Sequence, residues 1–67
     1  RMAPSTEQLR EFAKDADVRD VARFAEDAAA VKEAARHFRN DGSNGAYREL
    51  NEALMHSDEL YEELFGG

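Results

Sequence analysis

The sequence predicts an all-α fold, a small three- or four-helix bundle built on an antiparallel helical hairpin. Three observations predict it. Residues 18–39 and 45–65 carry apolar side chains at alternating spacings of three and four, the period of one helix face. A Ser-x-x-Gln capping signature opens a further helical stretch at Ser5. Between the two long stretches stands Asn40-Asp41-Gly42-Ser43-Asn44-Gly45, a run of turn formers long enough for an antiparallel helix connection.

Composition bounds the rest. Sixty-seven residues, 42% hydrophobic and 36% charged with one proline and no cysteine, exclude a disulfide scaffold, a cysteine-based zinc module and a multi-domain enzyme. A single helical domain over residues 5–65 fits, preceded by a disordered start at 1–4 and followed by a flexible Gly-Gly tail at 66–67. No apolar run reaches the roughly 20 residues of a membrane span, and no charged-then-apolar signal segment opens the chain. A soluble, cytoplasmic protein is expected.

The first element is a helix over about 5–15, with Leu9, Phe12, Ala13 and Ala16 on one face. Asp17 is a good N-cap for the next helix, over about 18–39. There Val21, Phe24, Ala28, Val31, Ala35 and Phe38 form a heptad seam, and Val18, Ala22, Ala25 and Ala29 widen it. Lys32, Arg36 and Arg39 suit the negative end of its dipole, while Glu26-Asp27 offers an alternative break at Asp27. Beyond the turn, Tyr47, Leu50, Leu54, Ser57, Tyr61 and Leu64 repeat the seam. In an antiparallel hairpin they meet Phe38, Ala35, Val31, Ala28, Phe24 and Val21 in turn. Ser57 is a poor seam residue and a good N-cap, so a break near His56–Ser57 is expected, giving helices over about 45–56 and 58–65.

Charge is unevenly placed. Residues 1–48 hold nine basic and nine acidic groups, whereas 49–67 hold six acids and no Lys or Arg, so the whole net charge of −6 belongs to the C-terminal third. That segment repels phosphates and attracts basic protein surfaces.

Chemistry-bearing patterns are few. Read as a calcium loop starting at Asn40, the turn has Gly42 where a side-chain ligand is needed and Asn51 in place of the bidentate carboxylate. The pairs Glu33/His37 and Glu52/His56 share helix faces with the spacing of surface pairing rather than of a buried metal site. Ser5, Ser43 and Ser57 read as caps or turn residues, and no phosphate-binding loop is present. The helix after the turn has Arg48 against Glu49 and Glu52, which argues against a DNA-reading helix. No catalytic, metal or cofactor site is expected.

The most suggestive stretch is the last one. Asp58, Glu59, Glu62 and Glu63 alternate with Leu60, Tyr61, Leu64 and Phe65, the pattern of an amphipathic helix that docks in a basic-rimmed or apolar groove. The competing reading puts the four apolar side chains in the chain's own small core. The sequence therefore predicts a non-catalytic protein-interaction module, a small regulator, inhibitor or adaptor acting through its acidic C-terminal third. Two other readings remain: a leader peptide cut after Gly67, and an acidic DNA mimic. So short a chain without disulfide or metal buries little surface, so self-association as a homodimer, or cover by a partner helix, is also expected.

Overall fold

Ser5 begins the first helix as its spacing predicts. Its hydroxyl accepts from the Gln8 N–H (3.1 Å) and its own N–H donates to the Gln8 side chain (2.9 Å), completing the capping box. A computed structural model describes residues 4–66 and shows three helices and no strand among them: α1 (Thr6–Asp15), α2 (Val18–Asp41) and α3 (Asn44–Phe65). Extended backbone at Ala16 ends α1, and Asp17 caps α2 by accepting from the Arg19 N–H at 2.9 Å.

The predicted six-residue turn contracts to two. Gly42 takes the left-handed conformation (φ 69°) and donates its N–H to the Phe38 carbonyl at 2.7 Å. Ser43 then caps α3, accepting from the Ala46 N–H at 3.1 Å while its hydroxyl donates to Asp41 at 2.8 Å. Asn40, Asp41, Asn44 and Gly45 are helical.

The break expected near His56–Ser57 does not occur, nor does the alternative one at Asp27. α2 runs through Asp27 and α3 through Ser57, so the bundle has three helices and the separate helix 58–65 merges into α3. A serine in a helix interior costs only about half a kcal/mol against alanine. Here Ser57 is buried in the helix contact, so continuity is worth more than a cap. At the C-terminal end Gly66 donates its N–H to the Glu62 carbonyl at 2.9 Å and caps α3. Pro4 is half-buried. The rest of the expected disordered start, residues 1–3, and Gly67 lie outside the described residues.

The α2–α3 pairing has the predicted register with a different roll. Phe38 meets Tyr47 (ring centroids 5.8 Å apart) and Phe24 stacks on Tyr61 (5.8 Å), as the antiparallel alignment requires. Phe24, Val31, Phe38, Leu50, Ser57 and Leu64 face inward, as expected. The other half of each seam is displaced by one residue: Asp27 and Ala34 replace Ala28 and Ala35, and Ala46 and Leu60 replace Tyr47 and Tyr61 as the deepest positions. Alanines 34, 46 and 53 occupy the contact, small residues of the kind that permit close helix packing, and Tyr47 is 58% exposed.

α1 touches this hairpin at its open end rather than lying across it. Phe12 meets Phe24 (5.5 Å) and Phe65 (5.2 Å), and with Tyr61 these rings close that end. No residue of α1 is buried. The molecule is long, 40 × 21 × 18 Å. Its radius of gyration of 13.2 Å exceeds the roughly 11 Å of a compact domain this size.

Candidate interaction surfaces

One side of the hairpin is tied by polar pairs at three levels. At the open end Arg23 reaches across to Glu63 (2.8 Å) and also holds Asp20 (3.2 Å). The hydrogen bond and the charge of Glu63 raise the Arg23 pKa, and Arg23 in turn holds the Glu63 carboxylate below its ordinary range. In the middle His56 Nδ1 lies 3.1 Å from Asp27 Oδ1. Near the turn His37 Nδ1 lies 2.9 Å from Glu49.

The middle pair is the unusual one. The Asp27 side chain is only 2% exposed, while that of His56 is 71% exposed. As a carboxylate Asp27 only accepts, so His56 donates to Oδ1 from Nδ1. Oδ2 has no hydrogen-bond partner among the described residues. A carboxyl group in a helix contact with one oxygen unsatisfied is a local weakness.

Helical rotation puts the opposite side of the hairpin roughly 100–180° away from these pairs. There α2 presents the small residues Ala28 and Ala35 below Val21, and α3 presents Tyr47 (58% exposed), Leu54 (44% exposed) and half-buried Tyr61. A shallow groove between the two helices is lined by Ala28, Val31, Leu54, Ser57 and Tyr61, with Lys32 and Asp58 on opposite walls. No polar pair crosses the hairpin on this side among the described residues. The alanines that were expected to line the α2–α3 seam are on this surface.

A second concavity, a cleft of about 600 Å³, opens where α1 meets the end of the hairpin. Its floor is Phe12, Leu64 and Phe65, and its rim is Glu7, Glu11, Asp15, Asp20 and Glu63, with no Lys or Arg in the lining among the described residues. Asp20 and Glu63 share Arg23, while Glu7, Glu11 and Asp15 make no ion pair among the described residues.

The C-terminal segment singled out by sequence divides between core and surface. Leu60 is buried, and Tyr61, Leu64 and Phe65 are half-buried around Phe24 and Phe12. Asp58, Glu59, Glu62 and Glu63 are exposed. The segment thus spends its apolar side within the chain and offers only its flank to the cleft. The Glu-x-x-x-His pairs do not form: Glu33 binds Arg36 (3.2 Å), and both histidines reach across to, or back toward, other carboxylates. Among the described residues no group of three or more metal-binding side chains comes together. The Asp27–His56 pair escapes sequence reasoning because Asp27 stands next to Ala28, the more apolar choice for the same turn of the seam.

No family model matches the chain, and comparisons with curated proteins and with solved structures find no significant match. No described helix is long and apolar enough to cross a membrane.

Proposed function

We propose that this chain is a non-catalytic protein-binding module whose acidic cleft takes a basic amphipathic segment of a partner protein. The observation that carries the reading is the cleft between α1 and the end of α3, an aromatic and leucine floor inside a rim of five carboxylates, of which Asp20 and Glu63 are paired to Arg23 while Glu7, Glu11 and Asp15 make no ion pair among the described residues. Apolar floor and single-sign rim are what a helix with one apolar and one basic face needs: burial supplies affinity and the rim supplies orientation and a fast encounter. This keeps the acidic C-terminal third in the interface through Glu63, Leu64 and Phe65. It changes the part they play, because they form the receiving surface instead of a helix inserted elsewhere.

The test is titration of the labelled chain with an amphipathic Lys/Leu helical peptide, and with a Glu/Leu peptide of the same pattern. The Lys/Leu peptide should bind and shift the Phe12 and Phe65 resonances, more weakly as salt rises from about 0.05 to 0.5 M. Glu11→Lys combined with Asp15→Lys should weaken it at least about tenfold, as expected when exposed attractive charges are inverted. Equal binding of both peptides, or indifference to the double variant, would overturn the reading.

A further inference from the structure

We infer that the groove side of the hairpin, carrying Ala28, Ala35, Leu54 and Tyr47, is a self-association surface, and that the partner it fits is a second copy of this chain. The inference does not depend on the acidic cleft, which lies at the α1 end of the molecule.

Area is the first argument. The chain exposes 5214 Å². A compact monomer of its mass, 7.5 kDa, exposes about 4,200 Å². The difference is on the order of 1,000 Å², comparable with the roughly 800 Å² each partner gives to a stable interface. No large side chain is completely buried among the described residues, as for half of a core awaiting the other half.

Shape says which partner. The exposed row on α2 is small (Ala28, Ala35) and the row beside it on α3 is large (Tyr47, Leu54). A twofold axis parallel to the hairpin lays α3 of one copy antiparallel on α2 of the other. Each large row then enters a small row, twice over, and the two hairpins make a four-helix bundle. A foreign helix would have to match both rows, whereas a second copy brings the complement of each.

Charge agrees. Lys32 and Asp58 face the groove from opposite walls, and neither makes an ion pair among the described residues. The same axis carries Lys32 of each copy to the wall where Asp58 of the other stands. Helical rotation turns Glu59 and Glu63 to other sides of α3, which keeps most of the like charge out of the contact.

Sedimentation equilibrium of the full chain from roughly 1 to 200 µM should show a concentration-dependent rise from 7.5 kDa toward twice that mass. Ala28→Glu should raise the dimer dissociation constant at least about tenfold, because it sets a charge in the centre of the interface. Ala30→Glu, also at an exposed alanine of α2 but on the polar-paired side, should leave it within about twofold. Far-UV circular dichroism confirms that each variant is helical, and Leu54→Gln decides the point if Ala28→Glu is unfolded. A cooperatively folded chain that stays at monomer mass throughout, or equal dissociation by Ala28→Glu and Ala30→Glu, would overturn the inference.

Discussion

Across one side of the α2–α3 hairpin, Arg23–Glu63, Asp27–His56 and His37–Glu49 join the helices at three levels. Across the other, alanines on α2 lie beside tyrosine and leucine on α3, and no polar pair joins the helices there among the described residues. The first side is tied by these pairs, and only Asp27 Oδ2 is left buried without a hydrogen-bond partner among the described residues. Among the described residues the second is covered where Phe12 of α1 reaches Phe24 and Phe65, while Leu54 and Tyr47 beyond Tyr61 are exposed. A helix pair this short has apolar residues for about one and a half faces. The half it cannot cover by itself is where a further chain is useful.

The largest effect should come from breaking the covered end. Phe24 touches Phe12, Tyr61 and Phe65, so Phe24→Ala should lower stability by about 3 kcal/mol in urea titration, enough to unfold much of a chain with so small a core. Leu54→Ala, further along the same side, should cost less than about 1 kcal/mol in dilute solution, because its side chain is already 44% exposed. If the two cost the same, Leu54 is covered.

The polar side should respond next, and with opposite signs. His56→Ala removes the donor to Asp27 and leaves a buried carboxyl oxygen unsatisfied, a loss of about 1–2 kcal/mol. Asp27→Leu removes the buried group itself and completes the inner seam, so it should be neutral or stabilising by about 1–2 kcal/mol. Denaturation midpoints of the two variants should therefore move apart.

The smallest effect concerns pH. Glu63 is held below its ordinary pKa in the folded chain, so its bond to Arg23 stabilises the fold fully above the unfolded glutamate pKa and is lost as pH falls through the lower folded value. Glu63→Gln should narrow the decline in melting temperature below about pH 4 and leave the higher range nearly flat. An unchanged acid limb would show that the exposed bridge contributes nothing.

Much of the fold was legible because helices declare themselves by period and cap. The Ser5/Gln8 box, the Asp17 cap and a turn somewhere within Asn40–Gly45 follow from local rules, and aligning the two seams about that turn gives the register through Phe38–Tyr47 and Phe24–Tyr61. The roll of the helices was not legible. Ranking by hydrophobicity prefers Ala28 over Asp27 and Leu54 over Ala53 as inner residues, and that ranking assumes the chain must hide its most apolar stripe from water. Here close approach at Ala34 and Ala46, and the ring cluster around Phe12, decide the rotation. The same error hid the interaction surfaces. The acidic segment was visible from charge alone, but the cleft it shares with α1 exists only once Phe12 is seated against Phe65.

The account rests on one rotation: Ala34 inside, Ala35 outside on the self-association side. The chain has no cysteine, so a single thiol at either position reports without background. Ala34→Cys and Ala35→Cys are to be compared by rate of thiol labelling across a dilution series. At low concentration the thiol at 34 should react slowly and the one at 35 fast, and with rising concentration the one at 35 alone should become protected. A thiol at 35 that is slower than the one at 34 at every concentration would contradict the rotation, and with it the self-association surface.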